Sequence, residues 1–92
     1  MSMRAESRNI TITNAGDSTP VTFPAGTRKF SVKLKNPAAV MSIAATEAEL
    51  VTAPLTTSAG YDMDNIIVNN LTIFFTSDQA ADTLQVLIFK DQ

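Results

Sequence analysis

The sequence predicts an all-β fold, an antiparallel β-sandwich or jelly roll built from about eight short strands. Three observations indicate it: short β-prone runs alternate apolar and polar side chains, turn residues separate these runs at regular intervals, and no helical apolar stripe continues for long. The chain has 92 residues, of which 45% are hydrophobic and 17% charged, the composition of a folded globular domain. We therefore expect a single domain over residues 8–92, preceded by a flexible N-terminal arm over residues 1–7.

The first strands are predicted in the N-terminal part of the chain. Residues 7–13 alternate isoleucine with polar residues, and residues 19–23 form a shorter run. Pro20 places this second run at a sheet edge, because proline cannot donate a hydrogen bond to a ladder. Residues 28–35 form the clearest strand, with one face apolar and the other rich in lysine.

The segment 36–50 is compatible with a helix or with a strand. Its alanines favour a helix, but Glu47 would fall on the apolar face of that helix. Alternation within residues 39–45 favours a strand there, and we prefer that interpretation. Residues 49–53 are predicted as a further short strand and residues 54–60 as a connection.

Three runs in the last third of the chain are also predicted to be strands. They cover residues 65–69, 71–76 and 83–90, and the last run is apolar on both faces near its end. Such a strand is central in a sheet or is covered by a neighbouring subunit. Residues 77–82 are expected to link the last two strands into a hairpin.

The residue types that are missing exclude several kinds of chemistry. The chain contains no cysteine and no histidine, so it has no disulfide framework, no thiolate zinc site and no imidazole for proton transfer. We therefore expect a non-enzymatic protein with no cofactor and no metal. The polar N-terminus and the absence of a long apolar run indicate no signal peptide and no membrane partner, so we expect an intracellular protein.

A basic face on the clearest strand is the first candidate binding feature. Arg28, Lys29, Lys33 and Lys35 could bind phosphate or an acidic protein surface, although lysines also keep an outer strand soluble. The net charge is −2, and no aromatic residue lies among these cations to stack on a base. We therefore do not expect nucleic acid as a partner.

Other polar groups suggest three alternatives. Glu47 and Glu49 would share one face of a strand as a carboxylate pair of the kind that glycosidases use, although such residues are more often solvated charges. The acidic run over residues 62–65 could bind calcium or form an ordinary turn. Tyr61 with neighbouring acidic and amide groups could instead bind carbohydrate in a jelly-roll module.

Two segments carry a family resemblance. A Pro-Ala-Gly-Thr turn leads into an alternating strand over residues 24–34, and a Gly-Tyr segment at 60–61 precedes three apolar runs that end near residue 89. In these segments the chain resembles small virion proteins of tailed phages, of the capsid decoration or cement type. The resemblance covers roughly residues 20–90, and it consists of turn chemistry and strand alternation.

This resemblance implies a function in assembly. Such a protein would be made in the host cytoplasm, bind the major capsid protein on the outer surface of the virion and stabilise the shell, often as a trimer or another homo-oligomer. A component of the neck or tail is the alternative location. The candidate contacts are the N-terminal arm, the basic face and exposed aromatic or aliphatic positions, which gives this set: Arg28, Lys29, Lys33, Lys35, Tyr61, Phe74, Leu87 and Phe89.

Overall fold

A computed structural model describes residues 3–58, 60–64, 66 and 70–91. These residues form eight strands and one short helix. The elements in chain order are β1 Met3–Ile12, β2 Thr19–Phe23, β3 Thr27–Leu34, β4 Val40–Ala44, α1 Glu47–Thr52, β5 Leu55–Ser58, β6 Gly60–Met63, β7 Leu71–Ser77 and β8 Asp82–Asp91. The predicted all-β sandwich is confirmed.

The strand connectivity is that of a jelly roll. The strands pair as the two arms of one long hairpin, β1 with β8, β2 with β7, β3 with β6 and β4 with β5. Successive pairs lie in opposite sheets, and the β3–β8 and β4–β7 ladders join them into the orders β1-β8-β3-β6 and β2-β7-β4-β5. We call these sheet A and sheet B. All the ladders are antiparallel, as two packed Greek keys require.

The core lies between the two sheets and follows directly from the alternation of the strands. In β3 the inward positions Phe30, Val32 and Leu34 are at most 1% exposed, while Lys29 and Lys33, which alternate with them, face solvent. Phe23 from sheet B stacks on Phe30 with ring centroids 4.2 Å apart. Each such buried side chain contributes about 1.5–3 kcal/mol of burial free energy. Because side chains alternate between the two faces of a strand, the period of two in the sequence determines which face of each sheet packs in the core.

The chain enters strand structure earlier than the sequence indicates. Residues 3–7, which were expected in a flexible arm, form the first half of β1 and pair with the end of β8, from Met3 opposite Asp91 onward. Ion pairs stabilise this end: Glu6 contacts Arg8 at 2.7 Å and Lys90 at 3.5 Å. These charges interrupt the apolar alternation, which is why this half of the strand gave no signal in the sequence.

Two predictions in the middle of the chain are wrong. Residues 49–53 lie mostly in the helix α1 instead of a strand, because Thr46 caps the helix and its hydroxyl accepts the backbone N–H of Glu49 at 3.2 Å. The Glu49 carboxylate also accepts the threonine hydroxyl at 3.0 Å, which links the two side chains at the start of the helix. The stretch expected as a connection, residues 54–60, contains β5 and begins β6.

The predicted hairpin of the last two strands is also wrong. β7 belongs to sheet B and β8 to sheet A, so the connection between them crosses from one sheet to the other. Hydrogen bonds tie it to both: Val40 donates its N–H to the Asp78 carboxylate at 2.8 Å, and Ala81 donates to the carbonyl of Thr13 at 3.0 Å. The strand expected over residues 65–69 lies outside the described residues apart from Ile66, which is not in a strand.

This crossing connection contains a strained residue, which gives a first prediction. Ala81 has a φ of 54°, a left-handed conformation that costs a residue with a Cβ about 1 kcal/mol and glycine almost nothing. We expect Ala81→Gly to raise the free energy of unfolding by about 0.5–1 kcal/mol in urea titrations. Ala80→Gly in the same turn, where φ is not positive, should give no gain. Equal effects of the two substitutions would contradict the prediction.

Candidate docking face

The outer face of sheet A is a surface built by four strands in register. Opposed residues of antiparallel strands point to the same side of the sheet, so the outward side chains form rows across it. The three rows are Ala5, Phe89 and Lys29, then Ser7, Leu87, Ser31 and Asp62, then Asn9, Gln85 and Lys33. We call this set of residues the docking face.

Two apolar side chains form the centre of the docking face. Leu87 and Phe89 lie on β8, which is an inner strand of the sheet, and both are partly exposed. Their neighbours across the ladders include Ala5, Ser7 and Ser31, whose side chains are too short to cover them. An apolar centre with a polar border is the usual composition of a protein–protein interface.

Cations border this apolar centre. The ammonium group of Lys29 lies 5.0 Å from the ring centroid of Phe89, a cation–π contact that holds it over the ring. Lys33 and Lys35 are exposed, and neither has a carboxylate within ion-pair distance among the described residues. Asp62 accepts a hydrogen bond from the Ser31 hydroxyl. The lysines are therefore available for an external acidic group.

Over the described residues, the surface of the docking face has shallow hollows and no deep pocket. One hollow of about 320 Å³ lies beside Ser7 and Leu87, and a second of about 400 Å³ lies among Lys29, Asp62 and Phe89. Both are open to solvent, and neither encloses a volume in which a small ligand would be surrounded. Hollows of this shape suit single side chains of a partner surface.

Four of the eight residues predicted as contacts lie together on the docking face: Lys29, Lys33, Leu87 and Phe89. Two more lie at its borders. The guanidinium of Arg28 is paired with Asp91 at 2.8 Å, so this charge is already compensated. Lys35 follows the end of β3, where its backbone N–H donates to the carbonyl of Thr83 at 2.9 Å.

The chain matches no protein family model, no curated protein and no solved structure.

Tyr61 does not lie on the docking face. It is opposite Val32, which is buried, and therefore points toward the core, where its ring centroid is 6.3 Å from that of Phe30. The hypothesis of a carbohydrate site needed this ring as an exposed stacking platform. The inward orientation leaves that hypothesis without its central residue.

Phe74 lies on the other side of the molecule. It is opposite Pro20 on β2 and Ala44 on β4, so it points outward from sheet B. Phe74 was predicted as an exposed position, but nothing in the sequence told which of the two sheets it would occupy. The predicted contact set therefore divides between two surfaces.

The carboxylate groups form no shared site in the described part of the chain. Glu47 and Glu49 lie in the first turn of α1, where residues two positions apart do not face each other, so the predicted pair does not exist. No group of three carboxylates there is placed to hold a metal ion.

The short helix α1, the one helix that the structure describes, is not long and apolar enough to cross a membrane.

Two carboxyl groups with shifted acidity serve the fold. Hydrogen bonding and charge from Arg8 lower the pKa of Glu6, with a further contribution from Lys90, against the opposing effect of burial. Burial is the largest influence on the pKa of Asp82 and raises it, but hydrogen bonds from Asn36, Thr83 and Ser77 outweigh burial and lower that pKa. Neither group lies on the docking face.

Sequence reasoning identified Ala5 and Ser7 only as part of the predicted N-terminal arm, and it missed Asn9 and Gln85. Ala5, Ser7 and Asn9 come from β1, and Gln85 comes from β8. Their types are ordinary surface residues, and only the register between strands distant in sequence brings them beside Leu87. No local pattern could have identified them.

Proposed function

We propose that the protein is a non-enzymatic structural protein of a phage particle, a decoration protein that binds the outer surface of the capsid. The docking face is the proposed binding surface. The observation that carries the proposal is the pair Leu87 and Phe89, partly exposed at the centre of a shallow sheet face and bordered by lysines. Jelly rolls occur in viral capsid and lectin domains, so the fold is compatible with this function without implying it.

Burial of this face would supply the binding free energy. A partner that covers Leu87 and Phe89 removes apolar surface from water at about 25 cal/mol per Å². A protein that binds the assembled shell and not its separate subunits stabilises the shell by mass action. The fold itself supports this mode of action, since the backbone of the face is held in four paired strands and does not have to be ordered on binding.

The charges specify the chemistry of the partner. Lys33 and Lys35 have no ion-pair partners among the described residues, and Lys29 lies over the Phe89 ring. A complementary surface therefore presents carboxylates around an apolar contact. Such charges mainly increase the association rate.

This charge argument gives a prediction about salt. We expect the double substitution Lys33→Glu and Lys35→Glu to slow association with shells by about tenfold and to remove most of its dependence on ionic strength. Stopped-flow or surface-based kinetics at several salt concentrations measure both quantities. An unchanged salt dependence in the variant would show that these lysines do not face the partner.

The proposal itself is tested by binding to assembled shells. Purified protein is added to shells of the phage that carries the gene, prepared without this protein, and the bound copies are counted after sedimentation. We expect saturable binding at hundreds of copies per particle, as a shell component requires. Binding of about a dozen copies or fewer would place the protein in the neck or tail, and no binding would contradict a virion function.

A matched pair of variants locates the binding surface. Leu87→Lys places a charge at the centre of the docking face, and Thr56→Lys places the same charge on the outer face of sheet B, opposite Ser42. We expect the first to weaken shell binding about 30-fold or more, the loss typical of a central interface residue, and the second to have no effect. Circular dichroism checks that both variants are folded. Equal shell binding by the two variants would exclude the docking face as the binding surface.

A further inference from the structure

The β1 strand is an open sheet edge. It is 10 residues long and is paired along its whole length with β8. Because β1 is the end strand of sheet A, its other side has no partner strand among the described residues. Open edges expose unpaired N–H and C=O groups, and proteins usually protect them with proline, bulges, charged side chains or short length. β1 contains no proline and shows no register shift against β8. Its charged residues alternate in sign, so they can pair with the charges of a second copy instead of repelling it.

The other described edges are protected. β5 and β6 have only 4 residues each, and β2 has 5 residues and contains Pro20. Arg8 also covers β2, because its guanidinium donates to the carbonyl oxygen of Thr22 at 2.9 Å. One long edge is therefore left open in a fold whose remaining edges are short or occupied.

We propose that β1 pairs with β1 of a second copy of this chain, antiparallel and about a two-fold axis at Ser7. A two-fold axis perpendicular to the sheet keeps the same face outward in both copies, so a residue can lie only opposite one whose side chain points the same way. Pairing about Ser7 aligns Ala5 with Asn9 of the second copy and joins the two sheets A into one continuous sheet.

The charges on β1 select this register. Arg4, Glu6 and Arg8 alternate along one face of the strand. Pairing about Ser7 places Glu6 opposite Arg8 of the second copy, twice by symmetry, whereas pairing about Glu6 or Arg8 places like charges opposite each other. Pairing about Ala5 also opposes unlike charges, but it leaves fewer residues of the two strands opposite each other. Opposite charges across a ladder are favourable and like charges unfavourable.

The side chains of this ion pair remain accessible to a second copy. The side chains of Arg8 and Glu6 are 35% and 33% exposed although they contact each other. Ala5, Ser7 and Asn9 on the other face are small enough to leave the joined outer surface even. The dimer would therefore place two docking faces side by side, but the pairing does not depend on what those faces bind.

Cysteine cross-linking tests the register, because the chain has no cysteine of its own. Opposed residues in an antiparallel ladder have Cα atoms about 4.5–5.5 Å apart, within reach of a disulfide. We expect Ser7→Cys to give a covalent dimer on mild oxidation. Asn9→Cys should not, because its copies would be about 14 Å apart along the strands. A mixture of Ala5→Cys and Asn9→Cys should cross-link, whereas cross-linking of Ala5→Cys alone would overturn the proposed register.

Charge exchange tests the same pairing without cross-linking. Glu6→Arg and Arg8→Glu each create like-charge pairs in a homodimer, so each variant alone should be monomeric by sedimentation velocity at concentrations where the unmodified protein is dimeric. Mixing the two variants restores unlike pairs and should restore the dimer. A monomeric unmodified protein, or variants that still form homodimers, would overturn the proposal. Thermal unfolding of each variant checks that the dimer is not lost because the variant is unfolded.

Discussion

Asp82→Ala is expected to lower the free energy of unfolding by about 3 kcal/mol at neutral pH. Asp82 is 4% exposed, and its carboxylate accepts the Ser77 hydroxyl at 2.9 Å and the backbone N–H groups of Asn36 and Thr83 at 3.0 and 2.8 Å. Alanine removes the acceptor and leaves these donors unsatisfied, and each buried unsatisfied donor costs about 1–3 kcal/mol. Urea unfolding followed by circular dichroism measures the loss.

The same carboxylate should make stability depend on pH. The pKa of Asp82 is lowered in the folded protein, because its three hydrogen bonds outweigh the opposing effect of burial. A carboxyl group with a lowered folded pKa stabilises the protein above its unfolded pKa of about 4, and this stabilisation is lost as the pH falls through the folded pKa. The unmodified protein and Asp82→Asn should therefore differ most in their free energy of unfolding at neutral pH, and this difference should become smaller in acid.

A surface carboxylate of the same type is the control. Asp62 is exposed, and asparagine retains an oxygen that can accept from Ser31. We expect Asp62→Asn to change stability by less than about 0.5 kcal/mol. An acid dependence of stability that persists unchanged in Asp82→Asn would mean that another group carries it.

Elements with uninterrupted alternation were predictable from sequence. β2, the lysine-rich β3 and β4 lie close to their predicted positions, because each buries one face and the period of two is visible in the residues. β8 also lies close to its predicted position, although its run is apolar on both faces near the end. The capping signal of α1, Thr46 followed three residues later by Glu49, was also present in the sequence. The strand predicted over residues 49–53 took no account of this signal, and most of those residues lie in the helix.

The elements that could not be predicted depend on contacts distant in sequence. A connection of the length of residues 77–82 is suitable for a hairpin, and only the docking of Asp82 and Asp78 against residues near 36–40 sends the chain to the other sheet. The docking face has the same origin. Its lysines and apolar residues were predicted singly, whereas their arrangement depends on the ladders that join β1 and β3 to β8, and β6 to β3.

Phe30→Ala is expected to have the largest effect on stability of any substitution considered, a loss of about 3–5 kcal/mol. Phe30 is 1% exposed, stacks on Phe23 across the two sheets at 4.2 Å and contacts Tyr61. Alanine leaves a cavity between the sheets and removes the aromatic pair, which alone is worth about 0.5–1.5 kcal/mol. A chain of this length is stable by only about 5–14 kcal/mol, so the variant should be close to unfolding at physiological temperature.

Phe89→Ala provides the matched comparison, because the two residues are of one type, lie on adjacent strands and point to opposite faces of sheet A. Lys29 is the registered neighbour of Phe89, and part of the ring faces solvent. Removal of this ring should cost about 1 kcal/mol of folding free energy, a typical effect of a single substitution, and should weaken shell binding. Phe30→Ala should instead reduce binding only in proportion to its unfolded fraction. If Phe30→Ala lowered both the melting temperature and the shell binding of the folded protein more than Phe89→Ala does, the core and the docking face could not be separate in function.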